Sequence, residues 1–233
     1  MEPTDPAAPA TAPASRLERH QDRFGRLLVV LVAVFLLQGI EGSGLEHVLS
    51  AVVTLGAIVV AAATTGVPHR FRTGPFIGVL LALGVAAVAL ITIGTDTTTG
   101  IGSICSAAVL GGLLVVVLNR ILNHHDVQAQ TIAGAMCAYL LFGMFFGAIF
   151  AAMNTLDATP VFNHHMANSD YGYFSISTLT TVGYGDITAV GGFARRLTGI
   201  EAITGQMFLA TAVARLMSVA RITRRGETEP AAD

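Results

Sequence analysis

Charge is scarce in this chain, and lysine is absent altogether. Charged residues make up only 12% of the 233 residues while hydrophobic residues make up 53%, and the mean hydropathy is +0.66. That balance lies far on the apolar side of ordinary globular usage and marks a membrane protein. Cysteine is nearly missing too. Cys105 and Cys137 both fall in apolar runs, which excludes a disulfide framework and offers no metal site. No phosphate-binding glycine loop, zinc spacing or nucleophile motif occurs, so no enzymatic chemistry, cofactor or nucleic-acid partner is expected. A secretory signal is not expected either, because arginines precede the first apolar run and no convincing cleavage site follows it.

What charge there is lies in informative places. The net charge of -2 hides a segregation of the arginines. Arg16, Arg19, Arg23 and Arg26 precede the first apolar run, and Arg70 and Arg72 follow the second. Arg120 follows the fourth, and Arg221, Arg224 and Arg225 follow the last. The positive-inside rule then predicts a multi-pass protein of the cell (plasma) membrane with both termini cytoplasmic.

Residues 1–22, rich in proline and alanine, are expected to be a disordered tail. Residues 23–122 hold four apolar spans, at about 27–40, 48–67, 75–93 and 101–118, with a polar loop at 95–100. The first is short, about 21 Å at 1.5 Å per residue, so it should extend back through Phe24 and Arg26. Small residues such as Gly84, Gly111 and Gly112 suit close helix packing. The fourth span contains no arginine. Residues 123–130 form a connector with His124 and His125, whose adjacent placement is poor geometry for a shared metal; a solvated connector is the expected role, and proton sensing the sharper alternative.

Residues 131–221 read as a second module. An outer helix over about 131–152 carries Phe142, Phe145, Phe146 and Phe150, expected to pack against neighbouring helices or lipid. A loop over 154–168 follows, with His164 and His165, and Ser169 or Asp170 can cap the next helix. An inner helix is expected from about Phe193 to Ala220, and residues 222–233 as a short cytoplasmic tail. Between the two long helices stands Thr180-Thr181-Val182-Gly183-Tyr184-Gly185-Asp186. Glycine at alternate positions permits backbone angles closed to other residues, so consecutive carbonyls can face one axis. Thr181 adds a hydroxyl oxygen below them. Stacked backbone carbonyls of this kind replace the hydration shell of potassium.

On these residues, together with Tyr173-Phe174-Ser175 through Thr180 before the motif and Ile187 after it, the chain resembles the tetrameric potassium channels over about 131–221. The resemblance implies an all-α membrane protein with six transmembrane helices, a re-entrant pore helix and selectivity filter, and a homotetramer around a central pore. Three further copies of the chain and membrane lipids are the implied partners. Potassium is the implied permeant ion, held at Thr181, Val182, Gly183, Tyr184 and Gly185. Tyr184 would turn its ring away from the axis to brace the filter. Gly205 falls where such channels commonly carry a hinge. Helical spacing then aligns Gln206, Leu209 or Ala210, Val213 and Met217 on a face expected to line the cavity, with Arg215 reaching for the inner surface. Glu201, about one turn inside the membrane, needs a partner; Ser175 or Ser177 of the pore helix is the expected one, so that Glu201, Ser177 and Asp186 would support the filter, with a gating role for Glu201 as the alternative.

Relatives with a voltage sensor carry arginines in the fourth span. Their absence predicts a channel without steep voltage gating. A weakly selective cation channel and a potassium-transporter-like subunit are the alternatives. The intact Gly183-Tyr184-Gly185 unit argues against the first, and a single filter segment against the second. A membrane enzyme or a purely structural bundle leaves the motif unexplained.

Overall fold

The computed structural model describes residues 23–37, 82–87, 89–90, 93, 96–123 and 129–226. Helical residues stand at 82–87, 89–90 and 93, and five further helices are bounded within the described residues: α1 (Arg23–Leu37), α2 (Asp96–Asn123), α3 (Ala129–Leu156), α4 (Asn168–Leu179) and α5 (Gly192–Gly226). Stretches of 26, 26 and 24 residues in α2, α3 and α5 are long and apolar enough to cross a membrane, and α1 adds a shorter apolar helix, Phe24–Leu37. The expected second span lies outside the described residues, as do His124 and His125, and the third is described only in part.

The first three helices close on a core set by period. Phe24, Leu27, Leu31 and Val34 of α1 meet Leu110, Leu113, Leu114 and Val117 of α2 and Cys137, Ala138, Leu141 and Met144 of α3. Each set recurs at three- or four-residue intervals, with Leu113–Leu114 and Cys137–Ala138 as adjacent pairs, which gathers it on one helix face. Burying one such leucine contributes about 1.5–3 kcal/mol relative to exposure. Gly111 lets α2 approach the Phe145 ring of α3, since a Cβ there would stand 3.0 Å from it. The thiol of Cys137 points at the Phe24 carbonyl at 3.7 Å, and Arg120 lies over the Phe24 ring with its Cζ 5.1 Å from the centroid.

Helix boundaries differ from the sequence expectation for one reason; the last helix, for instance, runs to Gly226 beyond the expected Ala220. Residues 96–100, expected as a loop, form the first turns of α2, and α3 runs on to Leu156. A helix ends where its backbone hydrogen bonds end, whereas an apolar count stops at the first polar residues. Thr99 accepts from Ser103 Oγ at 3.0 Å and Gly102 from Ser106 Oγ at 3.0 Å, so the serines of α2 are satisfied within their own helix.

A second, aromatic core carries the remaining elements. Phe150, Phe162 and Phe174 meet edge to face, with centroids 5.1 Å apart for Phe150–Phe174 and Phe162–Phe174 and 5.9 Å for Phe150–Phe162. Phe162 belongs to the loop between α3 and α4. A bridge to Ala189, with Asn163 N–H to Thr188 O at 3.0 Å and Val190 N–H to Val161 O at 2.9 Å, folds that loop onto the segment following Asp186.

Candidate functional site

The site is suspended from the C-terminal end of α4. The helix begins at Asn168 with Ala167 as its cap residue, so neither Ser169 nor Asp170 occupies the cap position. Asp170 instead reaches back from the first turn, its carboxylate accepting the Ala167 N–H at 2.8 Å, where an acid also suits the helix dipole. At the other end the chain unwinds in steps. Thr180 N–H donates to Ile176 O at 3.0 Å, Thr181 N–H to Thr178 O at 2.9 Å, and Gly183 N–H to Ser177 O at 3.1 Å.

Beyond that point the backbone alternates in hand. Thr181, Gly183 and Gly185 have φ of 61°, 54° and 81°, and among the described residues Thr181 is the only non-glycine with positive φ. Alternation of this kind lets successive carbonyls share one side. A Cβ at Gly183 or Gly185 would meet nothing within 4 Å, so these glycines serve the backbone angle and not a space requirement. Thr181 adopts the left-handed region despite its branched Cβ, a costly state that the surroundings must impose. Residues 181–186 are all exposed within the single chain.

Three helices meet behind this segment. Leu179 O, at the end of α4, accepts the Tyr139 hydroxyl of α3 at 3.0 Å. Gly205 of α5 rests against the same carbonyl so closely that any Cβ would collide with it. The α5 helix runs unbroken through Gly205, from Gly192 to Gly226. One turn earlier Glu201, 0% exposed, hydrogen-bonds through Oε1 with Ser175 Oγ, which also lies 2.6 Å from Gly143 O of α3. Glu201 Oε2 has no hydrogen-bond partner among the described residues. Ser175, rather than Ser177, is therefore the serine that Glu201 meets. The Ser177 hydroxyl bonds its own helix at Phe174 O, 3.0 Å away, and it is the Ser177 carbonyl that holds Gly183.

At the opposite end of the segment, Asp186 is fixed by polar contacts. Its carboxylate accepts the Tyr173 hydroxyl at 2.8 Å and the Ile187 N–H at 2.9 Å. Asn163 donates to Asp186 O at 3.0 Å and accepts from Thr188 N–H at 3.0 Å. The Tyr173 hydrogen bond foremost, then the Ile187 N–H, holds the Asp186 carboxyl below its ordinary range. Tyr184 stacks on Tyr173 with centroids 5.9 Å apart and planes 11° from parallel. His164 Nδ1 lies 3.1 Å from Asn163 Oδ1, and His165 is exposed.

On α5, Gln206 Nε2 approaches Thr181 Oγ1 at 3.3 Å. Leu209 and Val213 are exposed on the same helix, and the side chain of Met217 lies outside the described residues. Arg215 donates to Leu122 O at the end of α2, at 3.4 Å. Sequence reasoning missed Tyr139 and Asn163. A lone tyrosine in an apolar helix implies a partner for its hydroxyl, but nothing in the sequence pairs Asn163 with residues beyond Asp186.

Residues 134–221 match a family model described as an ion channel, and this match supports an ion channel family and a membrane-embedded transport role. The matched stretch takes in most of α3, all of α4, the segment of alternating hand and α5 as far as residue 221. No curated protein and no solved structure matches the chain.

Proposed function

We propose that the chain is one subunit of a potassium-selective channel of the cell membrane that conducts passively through a filter formed by Thr181 to Gly185. The observation that carries this reading is the alternation of backbone hand at Thr181, Gly183 and Gly185 in a Thr-Val-Gly-Tyr-Gly segment at the end of a short helix. One chain supplies one wall, so four copies around an axis complete the pore. Carbonyls of Thr181 to Tyr184 and the Thr181 hydroxyl would replace water around potassium, and ions at adjacent sites would displace one another along the file. The C-terminal end of α4, with its negative dipole, favours a cation approaching from the cavity.

In this reading Gln206, Leu209, Val213 and Met217 line the cavity and Gly205 serves as the hinge, while Glu201, Ser177 and Asp186 keep the filter in register. Six spans, both termini in the cytoplasm, and a peripheral collar without sensor arginines complete the architecture. The test is cation flux in vesicles carrying the purified chain, with open probability recorded over about 200 mV. Potassium flux well above sodium flux and a shallow voltage response are expected. Equal fluxes would favour a weakly selective channel, no flux a structural bundle, and a steep response would overturn the gating claim.

A further inference from the structure

Thr181 is the non-glycine residue of the proposed filter with positive φ, and α5 reaches it with a side chain. A β-branched residue at φ 61° persists only where its neighbours over-determine it. Its backbone N–H is held by Thr178 O at 2.9 Å. Its hydroxyl is met by the Gln206 amide at 3.3 Å. Gly205, next in the chain, has no side chain to keep α5 off Leu179 O, and so brings the helix near enough for the glutamine to span the remaining gap.

Resting on the potassium-channel reading, we propose that Gln206 is a positioning residue for the innermost potassium site, its amide hydrogen pinning the Thr181 hydroxyl. An amide NH2 only donates, while a hydroxyl oxygen has two lone pairs and one proton. The Gln206 bond takes one lone pair of Thr181 Oγ1 and leaves the other for the ion. It thereby fixes the χ1 of Thr181 and keeps the ligand in place while the ion is absent. A site organised before the ion arrives binds it more tightly than one that must be ordered on binding. The same bond makes the innermost site sensitive to any movement of α5 at Gly205, because the donor is carried on that helix.

The experiment is block of potassium current by barium, a cation of near-potassium size with twice the charge. It is recorded in planar bilayers of the purified full chain for wild type, Gln206→Met, Thr181→Ala and the double variant. Gln206→Met keeps side-chain length and removes the donor; it should weaken barium block about tenfold, one lost hydrogen bond per subunit being felt in up to four subunits. In the Thr181→Ala background the same change should have no further effect. Barium affinity within about twofold of wild type in Gln206→Met, or an equal loss in both backgrounds, overturns the proposal. If Gln206→Met does not assemble, Gln206→Asn carries the test: one carbon shorter, it retains polarity without reach, so wild-type block in that variant refutes the hydrogen bond. A wild-type current without potassium selectivity overturns the underlying reading as well, and that outcome is seen before any variant is compared.

Discussion

The α1–α2–α3 bundle and the α4–α5 region that carries the proposed filter differ in how they are held together. In the bundle, leucines and valines at helical intervals fill a shared interior, and half of the membrane-length window of α3 is buried within the chain, 50% against 11% for α5. Around the proposed filter, individual hydrogen bonds are added to the aromatic core of Phe150, Phe162 and Phe174, and residues 181–186 stand exposed. The bundle core is buried within one chain, whereas α5 presents Ile200, Ile203, Met207 and Val213 to whatever surrounds it. Stability should therefore reside in the first region, and selectivity in the second.

The sharpest way to test that division is at the filter glycines. Gly183→Ala and Gly185→Ala place an L-residue at φ 54° and 81°, at about 1–2 kcal/mol of strain per position and in every subunit of an assembly. Potassium selectivity or conduction should be lost, read as reversal potential, while thermal stability falls by no more than that strain. Unchanged reversal potentials in both variants would remove the filter assignment.

The converse variant is Leu31→Ala. Leu31 is fully buried in the bundle core, so truncation should cost about 2–5 kcal/mol of stability. Selectivity should remain intact in the channels that survive. A selectivity loss with unchanged stability would show that the two regions are not separable.

Glu201→Ala lies between these cases, since Glu201 stands behind the proposed filter yet is buried as deeply as the bundle leucines. Removing it leaves Ser175 with only Gly143 O, at a cost of about 1–3 kcal/mol. Shortened open times or a weaker assembly are expected. Glu201→Gln, which can keep a hydrogen bond to Ser175, should fall closer to wild type. Equal behaviour of the alanine and wild-type chains would exclude a supporting role.

The smallest effect concerns Asp186. Its carboxyl is held below the ordinary value of 3.8, so the contribution of the folded arrangement is present above that value and is lost only as pH falls through the lowered one. The outer end of the filter should thus be indifferent to protonation of this group between about pH 5 and 8. Tyr173→Phe removes the largest cause and should move any acid-induced loss of conductance upward, towards pH 4. An acid limit identical in the two proteins would show that the Tyr173–Asp186 hydrogen bond does not act there.

What could be read from the sequence divides along the same line. The left-handed turns at Gly183 and Gly185 were legible because glycine announces a backbone angle, and the burial of Glu201 because a carboxylate among apolar residues demands a partner. The packing faces of α1, α2 and α3 follow from the spacing of Leu27 and Leu31, of Leu110 and Leu114, and of Ala138 and Leu141. Helix ends were misjudged at 96–100, where polar residues continue the hydrogen-bonded turns. Contacts that cross the fold, such as Asn163 with Thr188 or Gly205 with Leu179 O, leave no local signal. They depend on how helices are brought together rather than on any periodicity. Thr181 is the extreme case: its branched side chain argues against the left-handed region, and only the surrounding bonds hold it there.

The central claim, that backbone oxygens from Thr181 to Gly185 select potassium, is tested most directly by the reversal potential of the purified chain in a planar bilayer with potassium on one side and sodium on the other. The account predicts a reversal potential displaced strongly in the direction set by potassium permeation, and collapse of that displacement in Gly183→Ala. A wild-type reversal potential near zero under these conditions, with channels plainly conducting, would contradict it.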